Sequence, residues 1–191
     1  MSIHEYAERL RGLVSNSWCS TSDKTMLWLE QGMRHFQKMA RDIQATGCKL
    51  MFVGNGGSAA IASHMAVDWS KNGGIRSVAF NDAVALTCIS NDFGYESAFS
   101  KQIELHSRGD DILVAISSSG RSPNIIAACA AARLAGCGVV TFSGFDEDNP
   151  LRALGDLNFY INSNQFGFVE IAHLTLLHAV LDGLTKERNS A

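Results

Sequence analysis

The stretch from Leu50 to Lys71, LMFVGNGGSAAIASHMAVDWSK, constrains this chain more than any other, because a strand, a glycine loop and a helix follow one another in it without a break. Leu50, Met51, Phe52 and Val53 form a short apolar run of the kind that a parallel strand buried on both faces requires. The run stops at Gly54. Gly54, Gly56 and Gly57 lack a side chain, so the backbone there can take positive φ and let an anion approach its amides. Asn55 and Ser58 add polar side chains to the cradle. From Ser58 the residues are small and helix-forming, and a helix starting there turns its free N–H groups and positive dipole end toward whatever the loop holds. The loop matches neither the dinucleotide pattern G-x-G-x-x-G nor the nucleotide-triphosphate loop ending in Gly-Lys-Ser or Gly-Lys-Thr. Two readings remain: a cradle for a single phosphate on a small molecule, and a plain glycine turn.

A second unit repeats the layout. Asp111 to Ile116, DILVAI, is another buried strand, Ser117, Ser118, Ser119, Gly120, Arg121 and Ser122 follow, and Asn124 to Leu134 is a small-residue helix ending near Gly136. Pro123 suits a first helical turn, where a missing N–H costs nothing. Hydroxyls on such a loop can donate to phosphate oxygens beside the helix N-terminus. Two polar loops at the carboxyl ends of two strands place a ligand in a crevice above a doubly wound sheet, which favours the phosphate reading for both. Further strands are expected at Ser77–Phe80, Gly138–Ser143 and Leu157–Ile161, and a terminal helix at Gln165–Lys186. Asp82 is placed to cap a helix, whereas Asn91, Asp92 and Gly94 in TCISNDFGY form a turn-like cluster.

The fold expected is α/β, a three-layer sandwich with a doubly wound, mainly parallel sheet of about five strands. Ahead of it, Ile3, Tyr6, Leu10 and Leu13, then Met26, Leu29, Met33, Phe36 and Ala40, recur at helical spacing. They predict two helices broken near Ser20 to Asp23, with Ser22 or Asp23 capping the second. Residues 1–191 are read as one domain, with 1–46 a helical extension available either to cover the sheet or to build an oligomer interface. A net charge of −3 gives no support to nucleic-acid binding. No apolar run approaches the ~20 residues of a membrane span, and no basic-then-apolar leader opens the chain, so no membrane partner and a cytoplasmic location are expected. Cys19, Cys48, Cys88, Cys129 and Cys137 are odd in number and contain no C-x-x-C pair, and they read as reduced core thiols.

Chemistry sits on two helices. His64 and Asp68 are four apart and share a helical face, and both are good ligands for a borderline metal such as Zn²⁺. Glu170 and His178, eight apart, lie within about 80° of each other at 3.6 residues per turn. His173 lies elsewhere on that helix. Glu170 stands between Val169 and Ile171, where an unpaired charge is costly; a cation would explain it, as would an ion pair with Arg121 or Arg133.

Taken together, GNGGSAAIASHMAVD, SNDFG, SSSGRSPN and GFVEIAHLTLLH resemble the sugar isomerase (SIS) family, closest to its phosphoheptose isomerase branch, from roughly Ser22 to Leu184. The resemblance implies a homotetramer with active sites shared between subunits. It also implies conversion of sedoheptulose 7-phosphate to D-glycero-D-manno-heptose 7-phosphate for bacterial surface-sugar synthesis. Carried over by position, Ser58, Ser117, Ser119 and Ser122 match phosphate contacts, with Gly56, Gly57 and Ser118 beside them. Asn55, Asn91 and Asp92 match sugar contacts, and His64, Asp68, Glu170 and His178 match the zinc and acid/base positions, Asp68 and His178 being the leading acid/base candidates. Two departures stand out: Asp68 where the family has the longer Glu, and Glu170 where it has Gln. An adaptor or sensor of the same fold, resembling DnaA initiator-associating protein, would keep the loops without needing the acid/base set.

Overall fold

A computed structural model describes the backbone of residues 1–190 and the side chains of residues 1–186. Its sheet has seven strands in the order β2-β1-β7-β6-β5-β3-β4. Five of them are parallel and lie where the apolar runs predict: β3 (Leu50–Gly54), β4 (Ser77–Ala79), β5 (Ile112–Ser117), β6 (Gly138–Ser143) and β7 (Leu157–Tyr160). Every residue of β3 and β5 is buried, as strands covered on both faces must be. Alternation along β3 sends Leu50 and Phe52 to one apolar cluster and Met51 and Val53 to the other.

The first cluster is covered by helices α2 (Leu29–Thr46), α3 (Gly57–Lys71) and α7 (Phe166–Ser190), the second by α5 (Ser100–His106) and α6 (Pro123–Leu134). Phe36 of α2 stacks on Trp69 of α3 with ring centroids 5.2 Å apart, and Phe142 stacks on Phe159 at 4.6 Å. Helix α7 is long and apolar enough over Phe166–Lys186 to cross a membrane by length and composition. Here it is a central core helix, burying Phe168, Val169, Ala172, Leu176, Leu177, Val180 and Leu181.

The expected five strands become seven because the region between the first two helices is a hairpin. Helix α1 (Ile3–Ser15) is followed by β1 (Trp18–Thr21) and β2 (Met26–Leu27), and β1 lies antiparallel to β7. Aromatic and β-branched residues in Trp18–Thr21 suit a strand. Asp23 does not cap a helix; its carboxylate accepts from Thr25 N at 3.1 Å and from the Thr21 hydroxyl, closing the turn with Lys24 at φ 66°. Helix α2 starts from Trp28, whose N–H donates to the Gln31 side chain at 2.9 Å.

A second correction concerns Asn91 and Asp92. They belong to no turn but to the last turn of α4 (Ala83–Phe93), which Asp82 does cap by accepting from Ala85 N at 2.9 Å. The cysteines are all free; Cys19, Cys129 and Cys137 are core residues, but Cys88 is exposed on α4.

Candidate active site

Both polar loops sit at the carboxyl ends of their strands, side by side, since β3 and β5 are neighbours. Gly56 takes φ 54° and ψ −122°, a conformation open to glycine, and α3 begins at the next residue. At Gly54 a Cβ would lie 2.5 Å from the Ser58 carbonyl oxygen, so only glycine lets the strand turn into the helix this tightly. The second loop runs from Ser117 through Gly120, at φ 62°, to Ser122, the residue before α6. Ser117 and Ser122 hydroxyls stand 3.4 Å apart, and Ser119 Oγ accepts from Arg121 N.

The two loops are laced together through Asn55 by two residues the sequence did not single out, Asn124 and Tyr95. Asn55 and Asn124 exchange side-chain hydrogen bonds of 2.9 Å in both directions, and the Tyr95 hydroxyl donates to Asn55 Oδ1 at 2.9 Å. Asn124 is buried at the start of α6, a placement that the sequence marks only by the preceding proline.

Asn55, Ser58, Ile116, Ser117, Ser118, Ser119, Ser122, Phe166 and Glu170 line a cleft of about 80 Å³ between the loops. Ligand pockets for drug-sized molecules are roughly 300–1,000 Å³, so this cleft takes one end of a molecule. The buried Ser118 hydroxyl has no partner among the described residues, and a buried hydroxyl left unpaired costs about 1–3 kcal/mol. An anion in the cleft would satisfy it. A roomier cavity of about 530 Å³, bordered by Lys49, Arg76, His106 and Asp111, opens at the amino ends of the strands and touches neither loop.

Glu170 faces this cleft. Its carboxylate stands against the first residue of α3, where a Cβ on Gly57 would fall 2.4 Å from it. Neither proposed arginine reaches it: Arg121 pairs with Asp146 at 2.6 Å and Arg133 with Asp156 at 2.7 Å.

Farther along the same two helices, His64, Asp68 and His178 converge, their ligand atoms all within 4.8 Å of one another. His64 Nε2 lies 3.2 Å from His178 Nε2 and 3.4 Å from Asp68 Oδ2, and His178 Nδ1 lies 3.8 Å from that carboxylate oxygen. Zn–N bonds of about 2.0–2.1 Å set tetrahedral ligands roughly 3.3 Å apart, close to the two shorter separations. Among the described residues His64, Asp68 and His178 therefore form a donor set that fits a divalent metal. Glu170 is not among them; the set of four drawn from the sequence is three here, because Glu170 sits seven residues earlier along α3, beside Gly57. At 1.5 Å per residue that is about 10 Å. Asn91 and Asp92 stay outside both places, exposed, with Asn91 Nδ2 donating to Asp92 Oδ1 at 2.9 Å.

Comparison with known proteins agrees with this fold. Residues 25–144 match the SIS domain family profile. Phosphoheptose isomerase of Geobacter sp. (strain M21) is 34% identical over 152 residues, 76% of this chain and 79% of that one. Phosphoheptose isomerase of Photorhabdus laumondii is 36% identical over 149 residues, 74% and 76% of the two chains. The solved structure of phosphoheptose isomerase GmhA from Neisseria gonorrhoeae superposes with a TM-score of 0.82 at 28% identity, covering 95% of this chain and 96% of that one. The NanR protein of Vibrio vulnificus, solved with ManNAc-6P, shares the fold alone, with a TM-score of 0.66 at 16% identity over 84% of this chain and 56% of that one. The chain belongs to the SIS domain family, in its phosphoheptose isomerase branch.

Proposed function

We propose that this protein is an aldose–ketose isomerase that converts sedoheptulose 7-phosphate to D-glycero-D-manno-heptose 7-phosphate, a step toward bacterial surface polysaccharide, in the cytoplasm. One observation carries the reading. A phosphate-sized cleft lies at one end of the α3/α7 pair, and an imidazole–carboxylate cluster lies about 10 Å along the same two helices. A sugar phosphate held by its phosphate spans that distance with its carbonyl end.

Ser58, Ser117, Ser119 and Ser122 and the amides at the start of α3 and α6 hold the phosphate, and Asn55 and Glu170 face the carbons next to it. Fixing one end of a flexible chain brings the other to the acid and base. There a base takes the proton from C1 of the ketose while O2 gains one, the C1–C2 enediol forms, and a proton is returned to C2 while the O1 proton leaves, giving the aldehyde. Asp68 and His178 hold and move these protons; the approaches of both His64 and His178 to Asp68 are made to Oδ2. His64, Asp68 and His178 would hold one zinc ion, which when bound supplies positive charge to polarise the substrate oxygens.

Sites shared within a homotetramer belong to the same proposal. Helix α2 buries Phe36, Ala40 and Ile43 in its own core, so the assembly role foreseen for residues 1–46 falls to α1. Helix α4 adds a second surface: none of its residues is buried, and Val84 and Phe93 are open to solvent beside Asn91 and Asp92. Docked on a second copy, α4 would carry Asn91 and Asp92 to a neighbouring site. Light scattering tests the assembly; a monomer at micromolar concentration would sink it.

Product analysis after incubation with sedoheptulose 7-phosphate and a panel of shorter ketose phosphates tests the function. Heptose 7-phosphate formed by the wild type and lost in Asp68→Asn and His178→Gln is the expected result. Tight phosphosugar binding with no turnover of any panel member would instead make the protein a sensor.

A further inference from the structure

Among the described residues helix α7 carries one fully buried polar side chain, and none of the chemistry above uses it. His173 is fully buried, with its ring edge-on to Phe142 at 5.8 Å. Its Nε2 lies 3.1 Å from the carbonyl oxygen of Ser143. A carbonyl only accepts, so Nε2 is the protonated nitrogen and donates. Burial pushes the ring's pKa down to about 4, which leaves it neutral and makes Nδ1 a bare acceptor. Nδ1 meets no donor among the described residues. A leucine would fill this space without burying an unmet polar atom. What histidine supplies is one directed hydrogen bond to the backbone at the end of β6.

That backbone supports the serine loop. Ser143 Oγ accepts from Asn149 Nδ2 at 3.1 Å, and Asn149 Oδ1 packs so closely on Gly120 that a Cβ there would fall 1.9 Å away. The Gly144 N–H donates to the Ser118 carbonyl at 2.9 Å, and the Leu151 N–H donates to the Gly120 carbonyl at 3.1 Å. Residues 143–151 therefore form a shelf under Ser117–Ser122, and His173 ties the shelf to the helix that presents Glu170 to the cleft and His178 to the cluster.

We propose that His173 is a positioning residue, fixing the phosphate-binding serine loop relative to the acid–base group on α7 through its hydrogen bond to Ser143. The proposal rests on the isomerase reading above. Its consequence is selective: phosphate still binds without the tie, but the far end of the sugar no longer meets the cluster in register, and displacements near 1 Å cost on the order of 100-fold in rate.

The test compares His173→Leu, which removes the donor and keeps apolar bulk, with His173→Gln, whose amide N–H can replace it. Per folded protein, His173→Leu should lower kcat on the phosphosugar by about 10- to 100-fold while competitive inhibition by inorganic phosphate stays within about twofold, and His173→Gln should restore most of the loss. A His173→Leu enzyme with kcat within about twofold of wild type, a His173→Gln enzyme no better than His173→Leu, or joint loss of phosphate binding and turnover overturns the positioning role. Should His173→Leu fail to fold, the ring ¹⁵N shifts of the wild type decide: an Nε2–H tautomer at neutral pH supports the tie, and an Nδ1–H tautomer overturns it. Absence of turnover by the wild type on every phosphosugar removes the isomerase reading and this one together, whereas wild-type turnover with an indifferent His173→Leu removes this one alone.

Discussion

Gly57→Ala isolates the contact that closes the cleft. Gly57 is the first residue of α3, and a Cβ there would fall 2.4 Å, 2.5 Å and 2.6 Å from the three carboxylate atoms of Glu170. Its φ is not positive, so the backbone itself accepts alanine. The conflict is then between the new methyl group and the end of a flexible side chain, which must swing out of the cleft. Overpacking costs about 1–3 kcal/mol, and the movable partner puts this case at the low end. Alanine recovers up to about 1 kcal/mol over glycine in a helix. The net loss in the wild-type background is therefore roughly 0–2 kcal/mol. In a Glu170→Ala background the obstruction is gone, and the same change should be neutral or stabilising by up to about 1 kcal/mol. Denaturant unfolding of the four proteins measures the coupling, expected near 1 kcal/mol or above. A coupling below about 0.5 kcal/mol would mean that Glu170 does not rest on α3, and the cleft as described would be wrong. Phosphosugar KM should rise in Gly57→Ala as it does in Glu170→Ala, since in both the carboxylate no longer lines the cleft.

Acid should destabilise the fold through His173. Its folded pKa of about 4 lies below the ordinary 6.5, so the unfolded chain takes up the extra proton between those values. Stability is complete above pH 6.5 and falls by about 3 kcal/mol as pH drops to 4, and His173→Leu should flatten that slope in urea titrations; an unchanged slope would refute the assignment. Ser119→Ala should raise phosphosugar KM roughly 10- to 100-fold, the worth of one hydrogen bond to a charged group, with no change in melting temperature. Elemental analysis should find about one zinc per chain in protein purified without chelator and much less in His64→Ala and His178→Ala. A metal-free wild type that takes up no zinc and still isomerises its substrate would leave Asp68 and His178 as a metal-free pair. Asp82→Ala should cost about 1 kcal/mol in unfolding free energy, because α4 loses its capping hydrogen bond from Ala85 N.

The parallel strands and both loops were legible because burial on two faces leaves continuous apolar runs and because glycine and serine mark the turns. His64 with Asp68 was legible as helical spacing. The convergence of His178 upon them was legible only through the family resemblance, since spacing alone does not show that α7 lies beside α3 more than a hundred residues away. Glu170 was misplaced for the same reason: periodicity gave its angle around α7 but not its height against α3. The hairpin at Trp18–Leu27 escaped because it is short and Met26 and Leu29 fit a helical spacing across it. Asn124, Tyr95 and Asn149 left almost no signal, since each acts by reaching a neighbouring loop.

The sheet ends in two stubs. Its outermost strands are β2, with two residues, and β4, with three, so neither border offers a run of open backbone groups long enough to template another strand. Growth by adding sheet to sheet is thereby blocked at both borders, which leaves the helical faces as the surfaces for the proposed assembly. Assembly should leave the amide-I strand signal unchanged, and the same stubs guard a core rich in β-prone runs such as ILVAIS and GVVTFS against fibril-like stacking at high concentration.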